Sequence, residues 1–547
     1  MDANTTPTAS SPTESIKEEE PFRFTWRLAL AFTSICIIVL MAALDATSLS
    51  VALSHIATSV NGSAIEIFWA GTGFLITGAV FQPIIGSLSS ILGRKLLTFI
   101  SLALFGVGAI IAAVAQNVTV LLIGRCIQGV GGGGVIVLSE VLTTDLLPLR
   151  VRGQWQGLIA AMWALGTVGG PLIGGGFAQN VSWRWIFWIN LPFIGVGSIV
   201  IALFLKLRPI EAGWAAKLRR IDYVGSFIFI GSTTSFLIPL SWGGVSYAWS
   251  SWRSLVPLII GAVGLVVFVI WEERYAEEPL IPLRIVKNRS AAVNYLGGFL
   301  QGLVLCCLLY YLPLYYEGVL GYSPIVSGVA LFPETFTVAP AAGTVGFLVT
   351  KTGRYRWAIW GGWFMATLGS GLIVLLDVDT SIPAWIFLTL VGGIGLGMLF
   401  PSIMFGIQAA TPEIDVAAAV SLFTFVRMFG QAVGVAVGGV IFQNQVKKQI
   451  LSHPLIASHA QQYAQDASSL VQIIKAMPQG QEKHDLQTSY AAALRVVWAL
   501  MCGLCFLGLV TSFATKGYSL GRAHVVEQGF VSGEEKKTES QKVADHA

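Results

Sequence analysis

The sequence predicts an all-α polytopic membrane protein with fourteen transmembrane helices, built as two six-helix bundles plus two inserted helices. Three observations predict it: a shortage of charge, fourteen long apolar runs, and a glycine pattern that recurs between the two halves. Hydrophobic residues make up 54% of the 547 and charged residues only 11%. A soluble domain carries about 25% charged residues, so this chain lacks the polar surface that water requires. The net charge of +4 is small and scattered, which excludes nucleic acid as a partner and leaves the lipid bilayer.

Crossing the hydrocarbon core takes about 20 apolar residues. Runs of that kind lie near 28–50, 67–90, 96–115, 118–143, 155–178, 185–205, 222–242, 254–271, 291–313, 324–349, 357–376, 384–408, 418–443 and 491–514. They are continuous, whereas a membrane barrel would show alternating segments of about ten residues. The cysteines Cys36, Cys126, Cys306, Cys307, Cys502 and Cys505 all fall inside these runs. They imply neither a disulfide framework nor a metal site.

Lysine and arginine set the orientation. With the N-terminus in the cytoplasm, the inside segments hold Arg94 and Lys95, Arg150 and Arg152, Lys206 to Arg220, Arg274 to Arg289, and Lys351 to Arg356. The short outside loops hold only Arg184 and Arg253, a clear positive-inside asymmetry. Residues 1–22 are rich in Ser, Thr and Glu and do not read as a cleavable signal peptide. Both termini are expected in the cytoplasm. A glycosylation sequon starts at Asn61, in an outside loop too short to make it a strong acceptor.

The fifth run contains Gly166, Gly170, Gly174 and Gly175; the thirteenth contains Gly430, Gly434, Gly438 and Gly439, at identical spacing and 264 residues on. Pro83, Gly86, Gly93 and Arg94 around the second run resemble Pro340, Gly343, Gly353 and Arg354 around the tenth. Such pairs point to duplicated halves with a site at their interface, a transporter architecture. The expected organisation is a disordered cytoplasmic tail over 1–26, a six-helix bundle over 27–205 and a linker with two extra helices over 206–290. A second bundle follows over 291–515, with an extracellular loop at 444–490, and then a cytoplasmic tail over 516–547.

Charged groups inside apolar runs are expensive and are functional candidates by default. Asp45 lies deep in the first run, Arg125 in the fourth, Glu334 in the tenth and Arg427 in the thirteenth. These four are the candidates for proton coupling and substrate handling, because a buried carboxyl can load and release a proton. Conformational gating is assigned to two stretches. Gly86, Gly93, Arg94 and Lys95 surround a tight loop, and Arg94 is expected to pair with Asp145. Gly166, Gly170, Pro171, Gly174 and Gly175 make the fifth helix both closely packed and pliable. Trp69, Phe74, Gln82, Trp163, Tyr310, Tyr311 and Phe332 are candidate walls of a lipophilic cavity.

These residues resemble the major facilitator superfamily, and within it the fourteen-span drug:proton antiporters of fungal toxin and multidrug efflux type. The stretch from Gly86 to Lys95 resembles the loop between helices two and three. Leu121 to Gly129 resembles the fourth-helix Arg motif, Gly166 to Gly175 the antiporter motif, and Leu44 with Asp45 the first-helix Asp motif. Trp183 to Pro192, Pro279 to Arg284 and Tyr310 to Tyr316 resemble fungal members. Ser90 stands where the loop motif carries an acid, and Ser54 where the first-helix motif ends in proline. The resemblance implies proton-driven efflux of drugs, toxins or secondary metabolites, with Asp45 in proton coupling and Arg125 in substrate handling.

The function expected is therefore proton-coupled export of small lipophilic molecules by alternating access, in the plasma membrane ahead of the vacuole. The expected partners are a small-molecule substrate, protons and lipid. Two other readings stay open: an importer of the same fold, for example for siderophores, and a transporter-like receptor without turnover. No phosphate-binding loop, His cluster, metal spacing or nucleophile–base pairing is visible, so no cofactor, no metal and no enzymatic activity are expected.

Overall fold

A computed structural model of the chain describes residues 25–528, except 50–51, 61, 63, 211–212, 244–246, 464–466 and 522–527. Asn61, residues 1–24 and most of 516–547 lie outside the described residues. Among the described residues there is no β-strand, and fourteen helices are long and apolar enough to cross a membrane.

In chain order these are α1 Trp26–Ser48, α2 Ala64–Leu92, α3 Arg94–Ala113, α4 Val118–Leu146, α5 Arg152–Asn180 and α6 Trp185–Phe204. Next come the inserted pair, α7 Tyr223–Trp242 and α8 Trp252–Arg274. The second set is α9 Arg289–Gly318, α10 (Pro324–Ala330 then Phe332–Thr352), α11 Arg356–Leu372, α12 Ile382–Ala410, α13 Val416–Leu451 and α14 Gln481–Ser512. The segment expected as a loop over 444–490 is shorter. α13 continues to Leu451 on polar residues, and α14 already starts at Gln481. Hydropathy marks only the part of a helix that suits lipid, not where its hydrogen bonding ends.

The recurring glycines explain the packing. Small residues let helix backbones approach closely where no side chain intervenes. Gly166, Gly170 and Gly174 of α5 lie against Ala43, Thr47 and Ser48 of α1. Gly430, Gly434 and Gly438 of α13 lie against Phe299, Leu303 and Tyr311 of α9. α4 is likewise wedged between α2 and α3, and α12 between α10 and α11. Gly93 (φ 115°) and Gly353 (φ 67°) make the matching turns after α2 and α10, in backbone conformations that other residues avoid.

The two sets of helices meet along α5 with α10 and along α2 with α13. Gly153 and Gly157 abut Gly346 and Gly343, and Gly86 abuts Ser421. Arg152 Nη1 donates to Gln408 Oε1 at 3.0 Å, and Arg150 Nε to the Thr350 carbonyl at 3.3 Å. The contacts of Gly153, Gly157, Gly86, Arg152 and Arg150 lie at the end of the molecule that carries the basic loops, here called the basic face, while the first segment of α10 also meets α5 at the opposite end. α7 leans over the α2/α13 seam through Trp69–Trp242 and Phe236–Phe429 ring contacts. α8 shows Ile259, Val263 and Val266 outward, as a helix bathed in lipid does.

Candidate functional site

Asp45 is the centre of a closed polar cluster. Its Oδ2 pairs with Arg125 Nη1 at 2.7 Å, and its Oδ1 accepts from Gln128 Nε2 and Asn190 Nδ2, both at 2.8 Å. Arg125 also donates to Gln128 Oε1 at 2.8 Å and to the Ala70 carbonyl at 3.2 Å. Its guanidinium lies 4.2 Å from the Phe74 ring centroid. Asp45 and Arg125 are 2% and 1% exposed, so charges that lipid would reject are satisfied inside the protein. The glycines of α4 explain the site. Gly124 and Gly131 press α4 onto α3, and Gly129 and Gly133 press it onto α2. The cluster therefore ties α1, α2, α4 and α6 together.

A second site is a cavity between the two helix sets. Its walls are mostly apolar and include Phe74, Trp163 and Phe400. Four buried polar atoms on these walls have no hydrogen-bond partner among the described residues: Gln82 Oε1, Glu140 Oε2, Gln301 Oε1 and Arg427 Nη1. Buried polar atoms are nearly always satisfied, so four orphans around one hollow mark where water or a ligand completes the bonding. Glu140 and Arg427 attract one another electrostatically but form no ion pair. They come from different helix sets, α4 and α13.

Of the expected walls, Phe74, Gln82 and Trp163 line this cavity and Phe332 lines a smaller cleft beside Pro171. Trp69, Tyr310 and Tyr311 do not. Trp69 packs on Trp242; Tyr311 is buried against α13, donating to the Val435 carbonyl at 3.1 Å, with Tyr310 against its ring. Their helices turn those faces to neighbours, not to the hollow. Of the four expected charged residues only Arg427 lines the cavity. Asp45 and Arg125 are sealed within the first helix set, and Glu334 lies behind Thr335. Glu140, Gln128, Asn190 and Gln301 were not singled out from sequence. Glu140 carried the same signal as Asp45, an acid in an apolar run; Gln128 lies one turn from Arg125.

At the basic face Arg94 and Asp145 meet as expected. Arg94 Nε is 2.7 Å from Asp145 Oδ2, and Arg94 Nη1 donates to Ser89 Oγ at 2.8 Å. Both residues belong to the first helix set, so the pair braces α3 against α4 and does not bridge the two sets. Lys95 Nζ reaches the Ala202 carbonyl of α6 at 2.9 Å. Reversing either charge of the Arg94–Asp145 pair is expected to cost about 3–5 kcal/mol, because an unpaired charge remains buried. Reversing both should restore much of the loss in a thermal unfolding assay. A double variant no more stable than the singles would show that the pair does not hold these helices.

A family model for the Major Facilitator Superfamily matches residues 35–435, most of the chain. The chain belongs to the major facilitator superfamily. It is an integral membrane transporter, not an enzyme. Among relatives of this superfamily, MFS transporter L2 of a Phoma species is 53% identical, covering 95% of this chain and 87% of its own. Efflux pump FUS6 of Gibberella fujikuroi is 35% identical, covering 94% and 93%. A transporter of the acurin A biosynthesis cluster in Aspergillus aculeatus is 37% identical, covering 92% of each chain. The crystal structure of the human organic anion transporter MFSD10 covers 87% of this chain and 99% of its own at 16% identity and a TM-score of 0.55, a likeness of fold alone. Major facilitator transporters handle small molecules, and a mostly apolar hollow with a few polar groups on its walls is the usual form of a small-molecule site.

Proposed function

We propose that this transporter exports small, largely apolar molecules across the plasma membrane by alternating access, driven by protons moving inward. The cavity carries the reading: one mostly apolar hollow between two similar helix sets, ringed by four orphaned polar atoms. The basic face is cytoplasmic by the positive-inside rule. The conformation described, joined at that face, is then the state closed to the cytoplasm. Rocking the two sets apart at Gly153, Gly157 and Gly86 would open the same cavity inward. Relatives named as efflux pumps support the outward direction.

Proton coupling runs through Asp45. Its carboxylate accepts from α4 and α6 and pairs with Arg125, so a proton on it releases Arg125 and loosens four helices at once. Glu140 and Arg427 contact the substrate from opposite walls. Proteoliposomes with an imposed pH gradient, tested against a panel of lipophilic metabolites and drugs, decide this. Wild type should move at least one compound faster with the gradient than without it. Asp45→Asn should lose that acceleration while still binding the compound. No gradient-dependent flux in wild type would sink the coupling reading, and an unchanged gradient response in Asp45→Asn would remove Asp45 from it.

A further inference from the structure

Glu334 opens the second segment of α10 and is 2% exposed. Neither of its carboxyl oxygens has a hydrogen-bond partner among the described residues. Among the described residues no ion pair reaches it. It is absent from the cavity wall, where its neighbours Thr335 and Val338 stand. It packs instead toward α12, where Gly393 abuts its backbone carbonyl, and toward Tyr316 at the end of α9. The Tyr316 ring lies 5.1 Å from that of Trp385, whose Nε1 has no hydrogen-bond partner among the described residues.

The internal repeat says what this place is. In the first helix set, Gly129 of α4 abuts the Phe74 carbonyl and Thr77 Oγ1 of α2, and Gly133 abuts Gly78. In the second set, Gly393 of α12 abuts the Glu334 carbonyl and Thr337 Oγ1 of α10, and Gly397 abuts Val338. The spacings are the same, so Glu334 occupies the position of Phe74. Counting four residues back from Gly129 and from Gly393, Thr389 occupies the position of Arg125. Where the first set places a guanidinium over an aromatic ring, the second places a carboxyl and no cation.

We propose that Glu334, with Tyr316 and Trp385, is a second proton-binding site, separate from Asp45 and from the substrate cavity. A bare carboxylate ion buried without a cation is heavily penalised, whereas the neutral acid is not. The proton arrives on one carboxyl oxygen and leaves from it, and no other bond changes. Tyr316 interacts electrostatically with Glu334, and its hydroxyl is the donor that would turn to the ion while the proton is away. Tyr316 is the titratable group that faces Glu334. α12 presents Trp385 and Thr389, and the facing part of α5 presents Thr167 and Pro171. A route is at hand: α10 is interrupted at Leu331, Pro333 has no N–H to close the gap, and the small cleft lined by Leu331, Phe332 and Thr335 runs alongside.

The inference rests on the reading that export is coupled to protons, and its test does not need the substrate. Infrared pH-difference spectra of the full chain in lipid read protonated carboxyls directly through their C=O stretch. Wild type and Asp45→Asn should both show a component that is missing in Glu334→Gln and shifted in Glu334→Asp. Spectra of Glu334→Gln identical to wild type, with Glu334→Asp likewise unshifted, would overturn the site. Should Glu334→Gln not fold, the Glu334→Asp shift alone decides. A Glu334 band in a protein without gradient-driven flux would uphold the site while sinking the coupling reading, and the reverse combination would do the opposite.

Discussion

Replacing Arg125 with leucine is expected to destabilise the folded protein by about 3–5 kcal/mol, because it leaves Asp45 as a buried charge without its counter-ion. Three bonds of Arg125 are lost together, to Asp45 Oδ2, Gln128 Oε1 and the Ala70 carbonyl. The cation also leaves the face of Phe74. Asn190 and Gln128 still donate to the carboxylate, but two neutral amides do not replace a guanidinium. Arg125→Lys should recover only part of the loss, since an ammonium cannot serve the three acceptors from one planar group. Thermal unfolding in detergent reads both variants. Equal midpoints for wild type and Arg125→Leu would mean that the cluster does not hold the first helix set together.

Arg427→Gln is expected to behave in the opposite way. Arg427 also lies inside the membrane span, but its Nη1 has no partner and its charge is met only at a distance by Glu140. Phe400 and Phe423, with ring centroids 4.4 and 5.3 Å from its guanidinium carbon, provide the nearest attraction. Removing an orphaned buried cation relieves a desolvation cost, which offsets the lost ring contacts, so stability should change by no more than about 1 kcal/mol. Substrate affinity should fall sharply. A hydrogen bond to a charged group contributes about 1.5–3 kcal/mol, which corresponds to roughly tenfold or more in the dissociation constant. Binding to the reconstituted variant, measured beside its unfolding midpoint, separates the two effects. Unchanged affinity would take Arg427 out of the substrate site, and a large drop in stability would assign it to packing.

The contrast between these two arginines shows what could be read from the chain. Both were legible as intramembrane cations, and nothing in the sequence separated them. Burial beside Asp45 makes one a structural tie, and the other stands on the cavity wall. Arg94 and Asp145 were also legible as a pair, because the positive-inside pattern puts both at one end of the molecule. That they brace a single helix set was not, since helix neighbours are not given by order along the chain. Glu140 is legible by the same rule that picks out Asp45, an acid in an apolar run. Asn190 carried no signal: it follows an aromatic stretch that reads as an interfacial anchor, and its reach to Asp45 spans 145 residues of sequence.

By itself the sequence determined the solvent, the number of spans, the duplication and the charged residues that lipid would not tolerate. Those properties are local or periodic: apolar length sets a span, basic loops set its direction, and glycine spacing sets how closely a helix can be approached. The tertiary structure alone decided which faces converge. It sealed Asp45 and Arg125, gave Glu140 and Arg427 to the cavity, and turned Trp69, Tyr310 and Tyr311 away from it. The physical reason is that a helix in lipid gains little from any particular rotation by hydrophobicity alone. Its facing is fixed by backbone fit at glycines and by the few polar groups that must find partners.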